Sequence, residues 1–170
     1  MSIEDAQRAA DRMAEELIRG ETARTIASFT DADAPAPEIL FAPPRAALRE
    51  PALKQLHDAW TRIGGAAGAP PAAQAFDPLS AMEALPFVML LENVGDGTDV
   101  VYRVYGRAIA DRFGVDFTGR RLSETPVEPR IAAFFLAVYR AVAARRAPIL
   151  TEHAPPRTVS VATWRRLILP

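Results

Sequence analysis

The chain predicts an α+β fold, an antiparallel sheet flanked by helices with a helical extension at its N-terminus. Three observations carry this expectation. Two short apolar segments, residues 87–91 and 100–105, are joined by turn chemistry and read as one strand pair. Residues 149–153 and 158–169 read as a second pair around Pro155-Pro156. Between the pairs lies the strongest helical pattern of the chain, residues 129–146. At 170 residues the chain suffices for one domain with a sizeable core and a modest extension. The expected division is residues 1–50 as helical extension and linker and 51–170 as the domain.

Ser2-x-x-Asp5 has the form of a capping box, with aspartate in the place of the usual glutamate. Ile3, Ala6, Ala10, Met13, Ala14 and Leu17 then recur at three- and four-residue spacing and define one helical face that Gly20 ends. That stripe is narrow and alanine-rich, so the helix needs a partner surface. Residues 22–29 add a short second helix, and residues 31–37, alternating Asp, Ala and Pro, read as linker. Pro51 suits a first helical position, and Leu53, Leu56, Trp60 and Ile63 form the stripe of a helix closed by Gly64-Gly65. Residues 64–75 contain only Gly, Ala, Pro and Gln and form a connector. Asp77-Pro78 opens a short helix to about residue 84.

In the second predicted strand, Val100, Tyr102 and Val104 share one face and Val101, Arg103 and Tyr105 the other. Residues 107–113 give one or two helical turns stopped by Gly114. On the long helix Ile131, Phe134, Phe135, Val138 and Val142 make the stripe, Arg145-Arg146 complements the helix dipole, and Pro148 stops it.

Composition narrows the function. A formal net charge of −1 supplies no long-range field for nucleic acid or an anionic membrane, and Arg120-Arg121 and Arg165-Arg166 are too few for a nucleic-acid surface. The absence of cysteine excludes disulfides, thiolate metal sites and thiol catalysis. The acidic start has no secretory pattern, and residues 131–138 are too short a run to span a bilayer, so a cytoplasmic protein is expected. Glu152 and His153 are adjacent on a strand and face opposite sides, so they cannot chelate one ion. Asp31 and Asp33 have an incomplete cation-loop spacing followed by prolines. Glu92, Asp96 and Asp99 are turn carboxylates, and no nucleophile is spaced with a base, so no enzyme activity is expected.

The element order, with Val101-Tyr-Arg-Val-Tyr-Gly106, then Arg107-Ala-Ile-Ala-Asp-Arg-Phe-Gly114, then Asp116-Phe-Thr-Gly-Arg-Arg-Leu122, resembles the PAS domain family. The closest resemblance is to a bacterial, mainly alphaproteobacterial subfamily, through Asp77-Pro-Leu79, Leu85-Pro86 and the terminal Leu167-Ile-Leu-Pro170. It implies a sensory or protein-interaction module. It also implies a fifth strand in the middle of the sheet, following Pro170. A chain that ends there stops early, borrows a strand or leaves the centre unpaired, and early termination is the expectation. Independently of the family, Gly114 permits a left-handed helix exit, Asp116 and Thr118 can accept from loop N–H groups, and Leu122 re-enters the core.

The resemblance further implies a pocket between sheet and long helix. Val100, Tyr102 and Val104 would supply its sheet side, Phe113 and Leu122 its rim and Phe135 its helix side. A mostly apolar small ligand meeting the Tyr102 hydroxyl is one reading, and a core closed on itself, as in a dimerisation adaptor, is the other. A cofactor-sized ligand needs at least about 300 Å³. No cofactor is assigned: haem-binding members use a histidine on the long helix and flavin-reactive members a cysteine, and neither is present. A homodimer through residues 3–17 or 53–63 is expected. A cyclase- or isomerase-like cone fold would need a convergent acid–base pair, which the sequence lacks.

Overall fold

A computed structural model describes residues 3–29, 36–65, 75, 77–154 and 163–170. Ser2 of the expected cap, Asp31 and Asp33, most of the 64–75 connector and residues 158–162 of the last expected strand lie outside the described residues. Five α-helices and five strands are described: α1 (Ile3–Ile18), α2 (Ala23–Phe29), β1 (Glu38–Phe41), α3 (Pro51–Arg62), β2 (Met89–Val94), β3 (Asp99–Tyr105), α4 (Arg107–Phe113), α5 (Pro129–Arg145), β4 (Ile149–His153) and β5 (Trp164–Ile168). This is a PAS-like α+β architecture with an N-terminal helix.

The strands form two antiparallel sheets, one ordered β1-β4-β5 and one the β2-β3 hairpin. Among the described strands, β2 pairs only with β3 and β5 only with β4. The β1 strand was not anticipated, since Glu38–Phe41 is short and stands among prolines. It pairs with β4 through Ile39↔Thr151 and Phe41↔Ile149.

Helix α5 is the spine. Its expected stripe is buried; Ala133, Leu136, Ala137 and Ala141 are buried as well, with α1 lying along the helix, and Tyr139 is buried on the sheet side beside Phe135 and Arg166. Of the α1 stripe, Ala10, Met13, Ala14 and Leu17 are buried and Ala6 packs on the same core. Asp11 pairs with Arg140 at 2.5 Å, and Arg145 donates to the Ile18 carbonyl at 2.8 Å. The N-terminal helix therefore docks on the long helix. The outer face of β4-β5 is closed by Leu48 and Leu53 over Leu150 and Leu167, while Leu56 of α3 packs on Ala59, Ala81 and Ala84.

The loop after α4 behaves as its residues dictate. Gly114 exits left-handed at φ 74°. Asp116 accepts from the Thr118 N–H at 2.8 Å, and the Thr118 hydroxyl accepts from the Tyr105 N–H at 3.2 Å. Gly106 sits where a Cβ would meet the Pro86 carbonyl oxygen at 2.5 Å, so only glycine lets the two backbones approach.

Candidate functional site

Three surfaces meet at the inner side of the molecule: the concave face of β2-β3, the inward residues of β5, and the first half of α5. Between them is an aromatic chamber lined by Met89, Tyr102, Tyr105, Phe113, Phe117, Val127, Phe135, Tyr139, Trp164 and Arg166. Its walls are mutually edge-packed: Tyr102 to Tyr105 at 5.1 Å between centroids, Tyr105 to Phe117 at 5.2 Å, Phe113 to Trp164 at 5.7 Å.

Of the expected pocket residues, Tyr102, Phe113 and Phe135 line this chamber together. Val100 and Leu122 are buried in the same core but are not on its wall. Val104 lies outside, 46% exposed. The cause is a β-bulge. The register runs Leu90↔Val104 and then Leu91↔Tyr102, leaving Arg103 as the extra residue on β3. Strict alternation is lost there, so Tyr105, not Val104, joins Tyr102 inside.

Two polar groups that the sequence did not assign to a site, Arg166 and Tyr139, join Tyr102 on the chamber wall, and His153 packs against Phe135 beside it. The Arg166 guanidinium lies over the Phe135 ring at 3.8 Å from its centroid, with the Tyr139 ring at 5.7 Å. Arg166 Nη1 donates to the Tyr139 hydroxyl at 3.2 Å, and the Tyr139 and Tyr102 hydroxyls are hydrogen-bonded to each other. Next to them His153 is 2% exposed, edge-on to Phe134 at 5.4 Å, with Nδ1–H donating to the Ala154 carbonyl at 2.7 Å.

Burial fixes the charge states. Desolvation, then the neighbouring Arg166, holds the His153 pKa down at about 3, so its imidazole is neutral at pH 7. Desolvation pushes the phenols of Tyr102, Tyr105 and Tyr139 up, so all three stay protonated. Desolvation also draws the Arg166 pKa down, yet a guanidinium keeps its proton in proteins. Arg166 is thus a cation among neutral groups.

The chamber is nearly closed. Its cavity is about 10 Å³, the room of one water. The larger concavity, about 290 Å³, is a groove on the opposite face of the three-stranded sheet. Its charges already face one another, Arg165 and Arg49 each at 3.7 Å from Glu152. No group of three His, Asp or Glu side chains suited to a metal ion occurs among the described residues. No described helix is long and apolar enough to cross a membrane.

The two antiparallel sheets and the long helix thus enclose an aromatic chamber. Residues 48–170 match the family model for the PAS domain, and the chain belongs to that family. No curated protein and no solved structure matches the chain.

Proposed function

We propose that the chain is a cytoplasmic, non-catalytic PAS module that senses a small molecule at the aromatic chamber. The observation that carries this reading is the Tyr102–Tyr139–Arg166 hydrogen-bonded run set into walls that are otherwise aromatic. A binding site for a small molecule has this composition: apolar walls and a few placed polar groups that fix orientation. The ligand expected from Tyr102 alone, mostly apolar with one hydrogen-bonding group, meets three such groups here. Entry requires side-chain movement, since the cavity of about 10 Å³ is far below the roughly 300 Å³ of a cofactor-sized site.

That small volume favours a second reading, an adaptor with a filled core that works by association. Its face would be the outer side of the β2-β3 hairpin, where the cross-strand pair Leu90 and Val104 and the nearby Phe87 are each more than two-fifths exposed. Native mass spectrometry of the purified chain tests both. A retained small molecule, lost in Tyr102→Ala, supports the sensor. A bare homodimer, broken by Val104→Glu, supports the adaptor.

A further inference from the structure

Strand alternation turns Trp164 and Arg166 toward the chamber, while Arg165 and Leu167 pack on the other side of the sheet. The Arg166 guanidinium is only half used. Its face lies on Phe135, and Nη1 donates to Tyr139. Nε and Nη2 are sealed from solvent and have no hydrogen-bond partner among the described residues. These two N–H groups share one edge of the planar guanidinium, the edge that binds a carboxylate through two parallel hydrogen bonds.

The same chain shows that edge filled elsewhere. Arg45 Nε donates to Asp58 Oδ1 at 2.7 Å, and Arg45 Nη2 donates to Oδ2 at 2.8 Å. At Arg166 no carboxylate of the described residues takes the equivalent place. The polar neighbours among the described residues include the hydroxyls of Tyr139 and Tyr102, the imidazole of His153 and the hydroxyl of Thr151, which faces Arg166 across the β4-β5 ladder, and none of these brings a negative charge. A buried charge without a counter-charge is costly, and a bound anion removes that cost.

We propose that the chamber binds a small-molecule monocarboxylate, its two oxygens on Nε and Nη2 of Arg166 and its body against Phe113, Phe135 and Trp164. This rests on the sensory reading and names the ligand class of that chamber. The cavity as it stands has at most the room of one water, so an acid of any size enters by displacing side chains of the wall, Trp164 first, which is only partly buried.

The test is the melting temperature of the full chain, titrated with sodium formate, acetate and benzoate against sodium chloride at equal ionic strength. Benzamide serves as the neutral isostere of benzoate. The carboxylates should raise the melting temperature saturably, and benzamide should leave it unchanged. Arg166→Lys keeps the charge but loses the fork, and should weaken the apparent affinity about tenfold or more. Arg166→Met removes the buried charge at similar bulk, so it should fold with an equal or higher melting temperature and show no carboxylate response.

A wild-type melting temperature that does not distinguish carboxylate from chloride and benzamide overturns the proposal. So does a carboxylate response that survives in Arg166→Met. Native mass spectrometry separates this failure from failure of the sensory reading. A retained molecule without a carboxyl group, with no carboxylate response, sinks the carboxylate and leaves the sensor. A response through Arg166 confined to formate and acetate, with nothing retained, keeps the carboxylate site and sinks the sensor.

Discussion

His153 should make the fold lose stability in mild acid. Its imidazole is 2% exposed, packed against Phe134 and Phe135, and faces the Arg166 cation. Burial first, and that cation second, depress its pKa to about 3. In the unfolded chain it returns to about 6.5. As pH falls below 6.5, the unfolded chain takes up a proton that the folded chain refuses. Stability is therefore complete above about pH 6.5 and falls by about 1.4 kcal/mol per pH unit below it, down to the folded pKa. Relative to pH 8, the loss at pH 5 is about 2 kcal/mol. Urea unfolding at pH 8, 6.5 and 5, at constant ionic strength, measures it. The variant His153→Gln keeps a neutral side chain with an N–H donor for Ala154 and removes the titration. Its stability should be nearly flat across the same window. Equal stability of the wild type at pH 8 and pH 5, or parallel profiles for wild type and variant, would refute the reasoning.

Phe135→Ala should cost about 3–5 kcal/mol in chemical denaturation, since Phe135 joins α5 to the chamber and is 6% exposed; a loss below about 1 kcal/mol would contradict its place in the core. Leu17→Ala, at a site with 0% exposure, should cost about 2–5 kcal/mol, and removing residues 1–30 should lower the melting temperature by uncovering α5. An unchanged melting temperature would mean that α1 does not dock there. Glu16→Gln should cost about 1.5–3 kcal/mol at pH 7, because the buried carboxylate accepts from the N–H groups of Arg24 and Thr25, at 2.7 and 2.6 Å, and from the Thr25 hydroxyl. Burial raises the Glu16 pKa, but those bonds outweigh it and hold the group below the usual range. Its contribution is thus present above about pH 4.5 and is lost as pH falls through the folded value, an acid-side loss that the variant should lack.

Local patterns revealed the elements that carry their own signals. Arg107–Phe113 and Ile149–His153 are bounded by Gly114 and Pro148, whose backbone demands are visible in the sequence, and their predicted limits hold. Strand β1 had no such signal. Four residues among prolines form a strand only because β4, more than a hundred positions later, supplies the ladder. The alanine-rich stripe of α1 called for a partner surface without naming it. Ala10 and Ala14 are fully or nearly buried because the fold lays α1 against α5, a tertiary fact that no window of α1 contains.

The chamber was legible in part for the same reason. Aromatic residues announce a packed interior, so Tyr102, Phe113 and Phe135 were found, but the bulge at Arg103 reverses which neighbour of Tyr102 points inward. Periodicity cannot foresee an inserted residue, because the bulge is a property of the strand pair and not of either strand. Arg165-Arg166 shows the other half of the limit. As a dipeptide it reads as two surface charges. A strand separates the two absolutely: Arg165 reaches the Ala47 carbonyl on one side of the sheet, and Arg166 enters an aromatic enclosure on the other. Period-two reading of Trp164-x-Arg166 would have put the arginine on the aromatic side. It would not have shown that half of its hydrogen-bonding edge stays empty, because that depends on which carboxylates the rest of the fold brings near. Arg45 receives Asp58 from thirteen residues away, and Arg166 receives none among the described residues. The difference between a structural ion pair and a candidate binding group thus lies in the partner's position, which the fold alone decides.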